Sequence, residues 1–318
     1  MIVVLTGGTG GAKFVDGLRQ IVPPEELTII VNTGDDHKWW GLNVSPDIDS
    51  IIYILAGTLS AERGWGVRGD TFHCLQAMKE LGEPTWFSVG DRDLAVHLLR
   101  TKLLWDGHTL SQATRTIADR LDLRWRILPM SDQPVETRIA TPTGEISFEE
   151  YFVQRWYQDP VKNVRFAGAS EAKPAPGVLD AIACAKTVLI APSNPVTSIG
   201  PILAVPGIGE ALRKTSAPVV GVSPMIGCKA VSGPAATLMA AQGLEVSIVG
   251  VAKAYEDFLD VLIVDDSDRE AARDLDSDHL QTHCTNILMR TSEDRARIAR
   301  TALDVTSRQL VHQSAGVK

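Results

Sequence analysis

The chain is poor in cysteine and aromatic residues and has no excess of positive charge, and these shortages argue against several classes of protein. Its cysteines number only 4 in 318 residues and form no CxxC pair, which predicts neither a disulfide framework nor a zinc site. The net charge of −8 argues against nucleic acid or an anionic membrane as a partner, because such partners require concentrated Lys and Arg. We therefore expect a protein of the reducing cytoplasm whose partners are small molecules.

Long hydrophobic runs are missing as well. No apolar stretch approaches the roughly 20 residues that a helix needs to cross a bilayer. The chain enters a strand-like run at Met1–Leu5, without the charged and apolar segments of a signal peptide. The hydrophobic content of 44% is nevertheless sufficient for a large core. We expect a soluble protein with no membrane partner.

Short aliphatic runs recur along the chain and predict a mostly parallel sheet. Several are continuous β-branched stretches, which are typical of strands buried on both faces, and helical patterns lie between many of them. This alternation predicts an α/β fold with a doubly wound sheet, in which ligands bind at the carboxyl ends of the strands. The predicted strands are Ile2–Thr6, Leu27–Asn32, Thr187–Ala191, Val219–Val222, Val246–Gly250 and Val261–Val264. The predicted helices among them are Lys13–Ile21, Gly200–Thr215, Ala235–Gln242 and Tyr255–Leu259.

The middle of the chain follows a different pattern. Amphipathic runs at Leu94–Leu104 and Leu110–Leu121 predict helices. Val135–Thr143 and Glu145–Phe152 are typical of antiparallel strands around a Thr-Pro-Thr-Gly turn. We interpret the chain, residues 1–318, as a single α/β domain with a helical and β insertion at about 75–165 that covers the ligand cleft.

The most informative segment is VLTGGTGG at residues 4–11, where an apolar strand runs into four glycines and then into a helical pattern. Bare backbone N–H groups at a helix start form a nest for phosphate, and glycine lets a pyrophosphate approach closely. The loop matches neither GxGxxG nor the Walker A motif, and a tight turn without a ligand is the alternative. The predicted phosphate-binding residues are Gly7, Gly8, Thr9, Gly10, Gly11 and Lys13.

Four carboxylates follow the second predicted strand, in turn-rich sequence that emerges at the same edge of the sheet. They are Asp35, Asp36, Asp47 and Asp49. Carboxylate oxygens suit Mg²⁺, which typically takes one or two protein carboxylates together with substrate phosphates and waters. In the alternative interpretation, Asp47 caps a helix that begins near Ile48, and the first two aspartates make turns.

An arginine between two aspartates, Asp91-Arg92-Asp93, precedes the first amphipathic helix of the insertion. Flanking carboxylates would orient its guanidinium for contact with an anionic or planar ligand. A structural ion-pair cluster explains the same residues equally simply. The nearby Asp70 is expected only to begin a helix.

Two long loops follow strands in the C-terminal half, at residues 191–201 and 223–234. Connections in α/β units are commonly about 2–6 residues long, so loops of this length, rich in Pro, Ser and Gly, are candidates for a second anion-binding or base-recognition site. The candidate donor-binding residues in them are Ser193, Asn194, Ser198 and Lys229.

Taken in order, these motifs resemble the 2-phospho-L-lactate transferase family of deazaflavin coenzyme F(420) biosynthesis. The segments that carry the resemblance are VLTGGTGGAKFVDGL, VNTGDD, SPDIDSIIYILAG, GDTF, GDRDLA, PSNPVTSIGPIL and SPMIGCKAVSGPA. The resemblance implies a Rossmann-like core and transfer of a phosphate ester from a guanosine diphospho-donor to the ribityl hydroxyl of the deazaflavin Fo. It further implies release of GMP and assistance by Mg²⁺. The last of these segments has Cys228 where the family pattern usually has Gly.

The resemblance also implies roles for individual residues. Asp49 and Arg92 match the family's deazaflavin-contacting pair, and Asp47 and Asp49 are the expected catalytic residues. Asp49 would orient either the acceptor hydroxyl or a metal ion. The acid carried by the donor is left open among lactate, phosphoenolpyruvate and a glycerate derivative, and a homodimer is the default expectation.

Two other functions compete with this interpretation. A nucleotide-sugar-binding regulator of the same superfamily would share the glycine loop, but it has no use for a deazaflavin-binding Asp and Arg pair. An NAD-dependent enzyme fits less well, because GxGxxG is missing and Thr33-Gly34 stands where an acidic ribose ligand is expected.

Overall fold

The computed structural model describes residues 1–315, and its centre is a parallel sheet of seven strands. In chain order the elements are β1 (Ile2–Thr6), α1 (Gly8–Leu18), β2 (Leu27–Val31), β3 (His37–Trp39), β4 (Leu42–Val44), α2 (Pro46–Leu55), α3 (His73–Glu80), α4 (Asp91–Trp105), α5 (Leu110–Arg120), β5 (Arg126–Pro129), β6 (Glu136–Thr141), β7 (Gly144–Ser147), β8 (Asn163–Ala167), α6 (Val178–Ala183), β9 (Thr187–Ile190), α7 (Gly200–Ala204), α8 (Ile208–Lys214), β10 (Val219–Val222), β11 (Met225–Ile226), β12 (Lys229–Ala230), α9 (Ala235–Ala241), α10 (Ile248–Ala254), β13 (Val261–Val264), α11 (Arg269–Leu275), β14 (Gln281–Cys284) and α12 (Ser292–Ala315). Short π-helical turns cover Glu150–Gln154 and Pro195–Ile199, and 3-10 turns cover Pro24–Glu26, Ala169–Glu171 and Asp266–Asp268.

The strand order confirms the predicted doubly wound, Rossmann-like sheet. Across the sheet the order is β14-β13-β10-β9-β1-β2-β5, and every pairing is parallel. The chain winds outward from β1 through β2 to β5, returns to the middle at β9, and winds outward the other way to β14. The winding direction therefore reverses between β1 and β9, and in such sheets this crevice is where ligands bind.

Aliphatic residues on alternate sides of the strands bury helices against both faces of the sheet. Val3 and Leu5 of β1 belong to a core cluster shared with α6, α8, α9 and α10, whereas Val4 belongs to the opposite cluster, shared with α1, α2, α5 and α12. Burial on both faces explains why the central strands are continuous hydrophobic runs rather than alternating ones.

The middle of the chain contains the predicted helices and antiparallel strands. α4 and α5 confirm the two amphipathic runs, and β6 pairs antiparallel with both β7 and β8. Between them, however, β5 returns to the main sheet and pairs with β2. The segment at about 75–165 is therefore divided into a helical part before β5 and a β part after it.

Four elements differ from the sequence-based expectation. The strand expected over Glu145–Phe152 ends at Ser147 as β7 and is followed by the π-helical turn Glu150–Gln154. The predicted strand Val246–Gly250 is wrong, because Ser247 caps a helix there by accepting a hydrogen bond from the Val249 N–H at 3.1 Å. The predicted helix Tyr255–Leu259 is wrong as well, because this segment forms turns that lead into β13. A short apolar run fits a strand and a buried helix equally well by periodicity, and the capping serine decides between them.

The long helix expected over Gly200–Thr215 is broken. It forms α7 and α8, separated by a turn in which Gly207 has φ +96°, a left-handed conformation that favours glycine. Within residues 1–315 no single helix is long and apolar enough to span a membrane. One bent pair, Pro195–Ala204 with Ile208–Lys214, meets that criterion by length and composition only, with an 88° bend.

Candidate active site

The glycine loop lies in the crevice where the winding of the sheet reverses. The Ser193 hydroxyl, in the loop after β9, donates to the Gly7 carbonyl oxygen at 2.7 Å. A Cβ at Gly10 would lie 2.3 Å from the Pro192 carbonyl oxygen, and one at Gly11 would lie 2.6 Å from Ser193 Oγ. Close packing between the loops after β1 and β9 therefore already requires glycine at these two positions, whatever ligand binds.

Asp47 sits at the N-terminus of α1, where the sequence predicts a phosphate. The Gly8 N–H donates to Asp47 Oδ1 at 2.7 Å, and Gly8 has φ +65°. The N–H groups of Thr9 and Gly10 donate no hydrogen bond within residues 1–315. The nest is thus shared: one donor holds a protein carboxylate and two are free for an anion.

The buried amide of Asn32, at the end of β2, joins the segments that form the site. Its Nδ2 donates to Asp47 Oδ2 at 2.9 Å, to Asp35 Oδ2 at 3.1 Å and to the Thr197 carbonyl oxygen at 3.3 Å. Its Oδ1 accepts from the Gly34 N–H at 2.8 Å. A single side chain therefore fixes two of the predicted metal ligands and the loop after β9.

The carboxylates beside Asn32 are buried, and one of them comes from the middle of the chain. Asp35 Oδ1 and Asp36 Oδ1 have no hydrogen-bond partner, although Asp36 Oδ2 accepts from the Ser45 hydroxyl at 2.7 Å. Burial, reinforced by Asp47, raises the pKa of Asp35 well above its usual range. Burial followed by the charges of Asp47 and Asp36 raises the pKa of Glu149 to about 8. We call Asp35, Asp36, Asp47 and Glu149 the acidic cluster.

Asp49 lies on the same helical turn as Asp47 but points to a different neighbour. Its two oxygens accept from the two terminal nitrogens of Arg100, one of them at 3.0 Å. Arg100 is fully buried, and burial opposed by the Asp49 charge leaves its pKa above the usual value. This bidentate pair fixes the plane of the Asp49 carboxylate.

His97 and Asp93 extend the pair into a network. His97 Nδ1 lies 3.5 Å from Asp49 Oδ2, His97 Nε2 lies 3.4 Å from Asp93 Oδ1, and the Tyr53 hydroxyl donates to Asp93 at 2.6 Å. Burial lowers the pKa of His97 to about 4 and raises that of Asp93 to about 7.

The same network offers ligand atoms to a metal ion. Atoms of Asp49, Asp93 and His97 lie within 4.8 Å of one another. The Arg100 guanidinium already supplies a positive charge to Asp49 and lies 3.4 Å from His97 Nδ1. Within residues 1–315 the acidic cluster does not form a second group of this kind.

Arg92 is exposed, and the expectation that its flanking aspartates orient it is wrong. Asp91 instead caps α3, accepting from the N–H groups of His73 and Cys74, and Asp93 belongs to the network above. Asp70 does not begin a helix but caps α4, accepting from the Arg92 N–H at 2.9 Å and the Asp93 N–H at 3.1 Å. Among residues 1–315 the Arg92 guanidinium has no hydrogen-bond or ion-pair partner, so it is available to a ligand.

The remaining candidate donor residues are only partly brought together. Ser198 is buried against the glycine loop, its Oγ 3.3 Å from where a Cβ on Gly8 would stand. Asn194 caps the turn after it by accepting from the Val196 N–H at 2.9 Å. Lys13 and Lys229 are exposed, on α1 and on the β11–β12 hairpin respectively.

A protein-family model described as "2-phospho-L-lactate transferase CofD" matches residues 2–311 of this sequence. The chain belongs to the CofD family. The 2-phospho-L-lactate transferase of Methanosarcina mazei is 44% identical over 84% of this chain and 88% of that protein. The phosphoenolpyruvate transferase of Streptomyces griseus is 42% identical over 96% of this chain and 98% of that protein. Membership in this family identifies the protein as a transferase and does not favour the alternative of a regulator without turnover.

Solved structures support the fold of this CofD family member. A crystal structure of a UPF0052 family protein from Bacillus halodurans superimposes with a TM-score of 0.64, covering 95% of this chain and 98% of that one. Its sequence identity is 17%, so the likeness concerns the architecture alone.

Sequence reasoning missed five buried site residues of this CofD chain: Asn32, Tyr53, His97, Arg100 and Glu149. A signal for two of them was present, because Asp93, His97 and Arg100 are spaced to share one face of α4. A buried Arg on a helical face needs a carboxylate partner, which would have directed attention to Asp49. Glu149 carries no such signal, since its neighbours in space come from distant parts of the chain.

Proposed function

We propose that the protein transfers a phospho-acid group from a guanosine diphospho-donor to the ribityl hydroxyl of Fo, releasing GMP, in coenzyme F(420) biosynthesis. Family membership supports this activity, and one observation carries its geometry. The first turn of α2 presents Asp47 to the glycine loop and Asp49 to α4. These two aspartates join the predicted donor side to the predicted acceptor side within a single turn of α2.

We propose that Asp35, Asp36 and Asp47 contribute, beside the donor phosphates and water, to holding the Mg²⁺ that the family resemblance implies, since within residues 1–315 these carboxylates alone do not form a compact ligand set. Asp35 and Asp36 each keep a buried oxygen without a hydrogen-bond partner, and hard carboxylate oxygens are the ligands that Mg²⁺ prefers. Asp49, also predicted as a ligand, has both oxygens engaged by Arg100 and is assigned instead to the acceptor. Bound there, the ion would neutralise charge on the donor phosphates as GMP leaves.

Donor binding, acceptor binding and orientation of the attacking hydroxyl are assigned to different residues of the chain. The free N–H groups of Thr9 and Gly10 and the Ser198 hydroxyl would donate to the donor phosphates. Arg92 would contact the deazaflavin, and Asp49, held in plane by Arg100, would accept the hydrogen bond of the attacking hydroxyl. In the reaction a bond forms between that hydroxyl oxygen and the donor phosphorus, and the bond from phosphorus to the GMP oxygen breaks.

Four finer points stay predictions. Relatives named for 2-phospho-L-lactate and for phosphoenolpyruvate are 44% and 42% identical to this chain, so identity does not choose between these acids, and a phosphoglycerate-type donor stays open. We further propose that the insertion covers the ligand cleft. The homodimer and the cytoplasmic location are the remaining expectations.

The experiment that tests the function combines binding and turnover. Fo binding is followed by its own fluorescence, and GMP release is measured with guanosine diphospho-donors that carry each of the three acids. We expect GMP only when Fo is present, loss of turnover in EDTA, and its recovery with Mg²⁺. Asp49→Asn should fold but lose turnover. Donor binding without Fo binding or GMP release would favour the regulator instead, and full turnover in chelator would contradict the role of the metal.

A further inference from the structure

A chain of buried side-chain contacts begins on α2, passes through α4 and returns to α2. Asp49 and Tyr53 lie one turn apart on α2. Asp93, His97 and Arg100 share one face of α4. Arg100 donates to Asp49 and to His97, and the Tyr53 hydroxyl donates to Asp93. The contact that completes the chain lies between His97 Nε2 and Asp93 Oδ1, which are 3.4 Å apart.

The neighbours of His97 decide which of its ring nitrogens carries the proton. Arg100 Nη1 lies 3.4 Å from His97 Nδ1, and a guanidinium can only donate hydrogen bonds. Nδ1 is therefore the acceptor, and the imidazole carries its proton on Nε2. Nε2 is buried and makes no hydrogen bond among residues 1–315, so the Asp93 carboxylate at 3.4 Å is the negative group that attracts its N–H.

This imidazole restricts the guanidinium that holds Asp49. The same Arg100 Nη1 donates to His97 Nδ1 and, at 3.0 Å, to Asp49 Oδ2. On the other side of the imidazole, Asp93 is itself fixed by the Tyr53 hydroxyl at 2.6 Å. The orientation of the Asp49 carboxylate therefore depends on Tyr53 and Asp93, two described residues with which it forms no hydrogen bond.

We propose that Tyr53, Asp93 and His97 are positioning residues of the transfer, which hold the Asp49 carboxylate, through Arg100, in the orientation that accepts the hydrogen bond of the attacking hydroxyl. This inference rests on the proposed function, because it requires Asp49 to act on the acceptor. Misplacing a reacting group by about 1 Å can cost about 100-fold in rate. Since donor and Fo binding are assigned to other residues, loss of a positioning residue lowers kcat and leaves KM unchanged.

The first test compares Tyr53→Phe, which removes one hydroxyl, with Tyr255→Phe as matched control. The Tyr255 hydroxyl is also buried but has no hydrogen-bond partner within the described part of the chain. GMP release is measured with Fo and with the guanosine diphospho-donor of 2-phospho-L-lactate or of phosphoenolpyruvate, whichever turns over faster. We expect Tyr53→Phe to lower kcat by about tenfold or more, with the KM values for both substrates within about twofold. Tyr255→Phe should keep the kcat of the unaltered protein.

Two variants of His97 separate positioning from packing. His97→Asn places an amide oxygen where Nδ1 accepts from Arg100, whereas His97→Leu fills the space without an acceptor. Leucine is the better helix former and the better core residue, so a purely structural role predicts the higher kcat for His97→Leu. We expect the higher kcat for His97→Asn.

Nitrogen-15 NMR of the unaltered protein at pH 7 gives a readout that does not depend on turnover. The His97 signals are assigned by their absence from the spectrum of His97→Asn, and they should show the proton on Nε2. A proton on Nδ1 would overturn the inference, as would an unchanged kcat in Tyr53→Phe, an effect of that variant on KM alone, or a His97→Leu variant at least as active as His97→Asn.

The failure of this inference is distinguishable from that of the proposed function. If Asp49→Asn loses turnover while Tyr53→Phe and His97→Leu keep it, the proposed function stands and only the positioning role is wrong. If Asp49→Asn keeps turnover, or the unaltered protein releases no GMP, the role assigned to Asp49 fails and the inference fails with it.

Discussion

Removing the positive charge from the pair between Arg100 and Asp49 should cost the protein much of its stability. Arg100 has no exposed surface and Asp49 is 3% exposed, so Arg100→Met leaves a carboxylate buried without its two donors. Breaking a buried ion pair on one side typically costs about 3–5 kcal/mol. His97, at 3.5 Å from Asp49, does not compensate, because burial lowers the pKa of its imidazole to about 4 and keeps it neutral at pH 7.

A double-mutant cycle separates the pair from simple loss of packing. Asp49→Asn alone leaves the guanidinium buried with a weaker partner, whereas the double variant removes both charges. In each single variant the free energy of unfolding should fall by more than half of the fall in the double variant. The sum of the two single falls should therefore exceed the fall in the double variant, by a coupling energy of about 2–3 kcal/mol. Urea unfolding at pH 7, followed by circular dichroism, measures all four proteins. Losses that add to within about 0.5 kcal/mol would refute the reasoning, because they would show that the two side chains act independently.

Three further outcomes are expected. In chelator the free energy of unfolding should fall as pH rises from about 4 to 8. Burial raises the pKa values of Asp47 and Glu149 to about 6 and about 8. The native state therefore binds protons more tightly than the unfolded state, and this stabilisation at low pH is lost as the pH passes those values. A melting temperature independent of pH over this range would contradict it. Gly10→Ala should lower the melting temperature, since its Cβ would meet the Pro192 carbonyl at 2.3 Å; an unchanged melting temperature would show that the loop adjusts freely. Arg92→Lys should weaken Fo binding by about 1–3 kcal/mol and leave donor binding unchanged in parallel titrations, whereas equal losses would point to a structural role.

The central strands could be predicted from the sequence because burial on both faces requires hydrophobic residues at successive positions. β1, β2, β9, β10 and β13 are continuous aliphatic runs, and each was located to within a residue or two. The outer strands β5 and β14 carry polar residues such as Arg126 and Gln281 and were not recognised. At the edge of a sheet the hydrophobic signal is diluted, so composition alone does not separate a strand from a loop.

The site was predictable where it follows the ends of neighbouring strands. The glycine loop, Asp35 and Asp47 meet because parallel strands deliver their carboxyl ends to one edge. Arg100 and Glu149 could not be found in this way: Arg100 meets Asp49 across 51 residues of sequence, and the packing of α4 against α5 and the β3-β4 hairpin holds it in that position. The GDRD motif was recognised, but its aspartates serve as helix cap and network member rather than as supports for Arg92.

The N-termini of α3 and α4 are capped by aspartates from each other's neighbouring segments, Asp91 and Asp70. The first N–H groups of α4 are all occupied, by the Thr71 carbonyl and by both oxygens of Asp70, and that helix end is closed to any further anion. At α1 the N–H groups of Thr9 and Gly10 stay open. Of these two helix ends, only that of α1 keeps backbone donors for an anion, which favours binding of the donor phosphates there. A substitution that removes the Asp70 carboxylate would free the N–H groups of Arg92 and Asp93 and create a second anion-binding helix end beside Arg92.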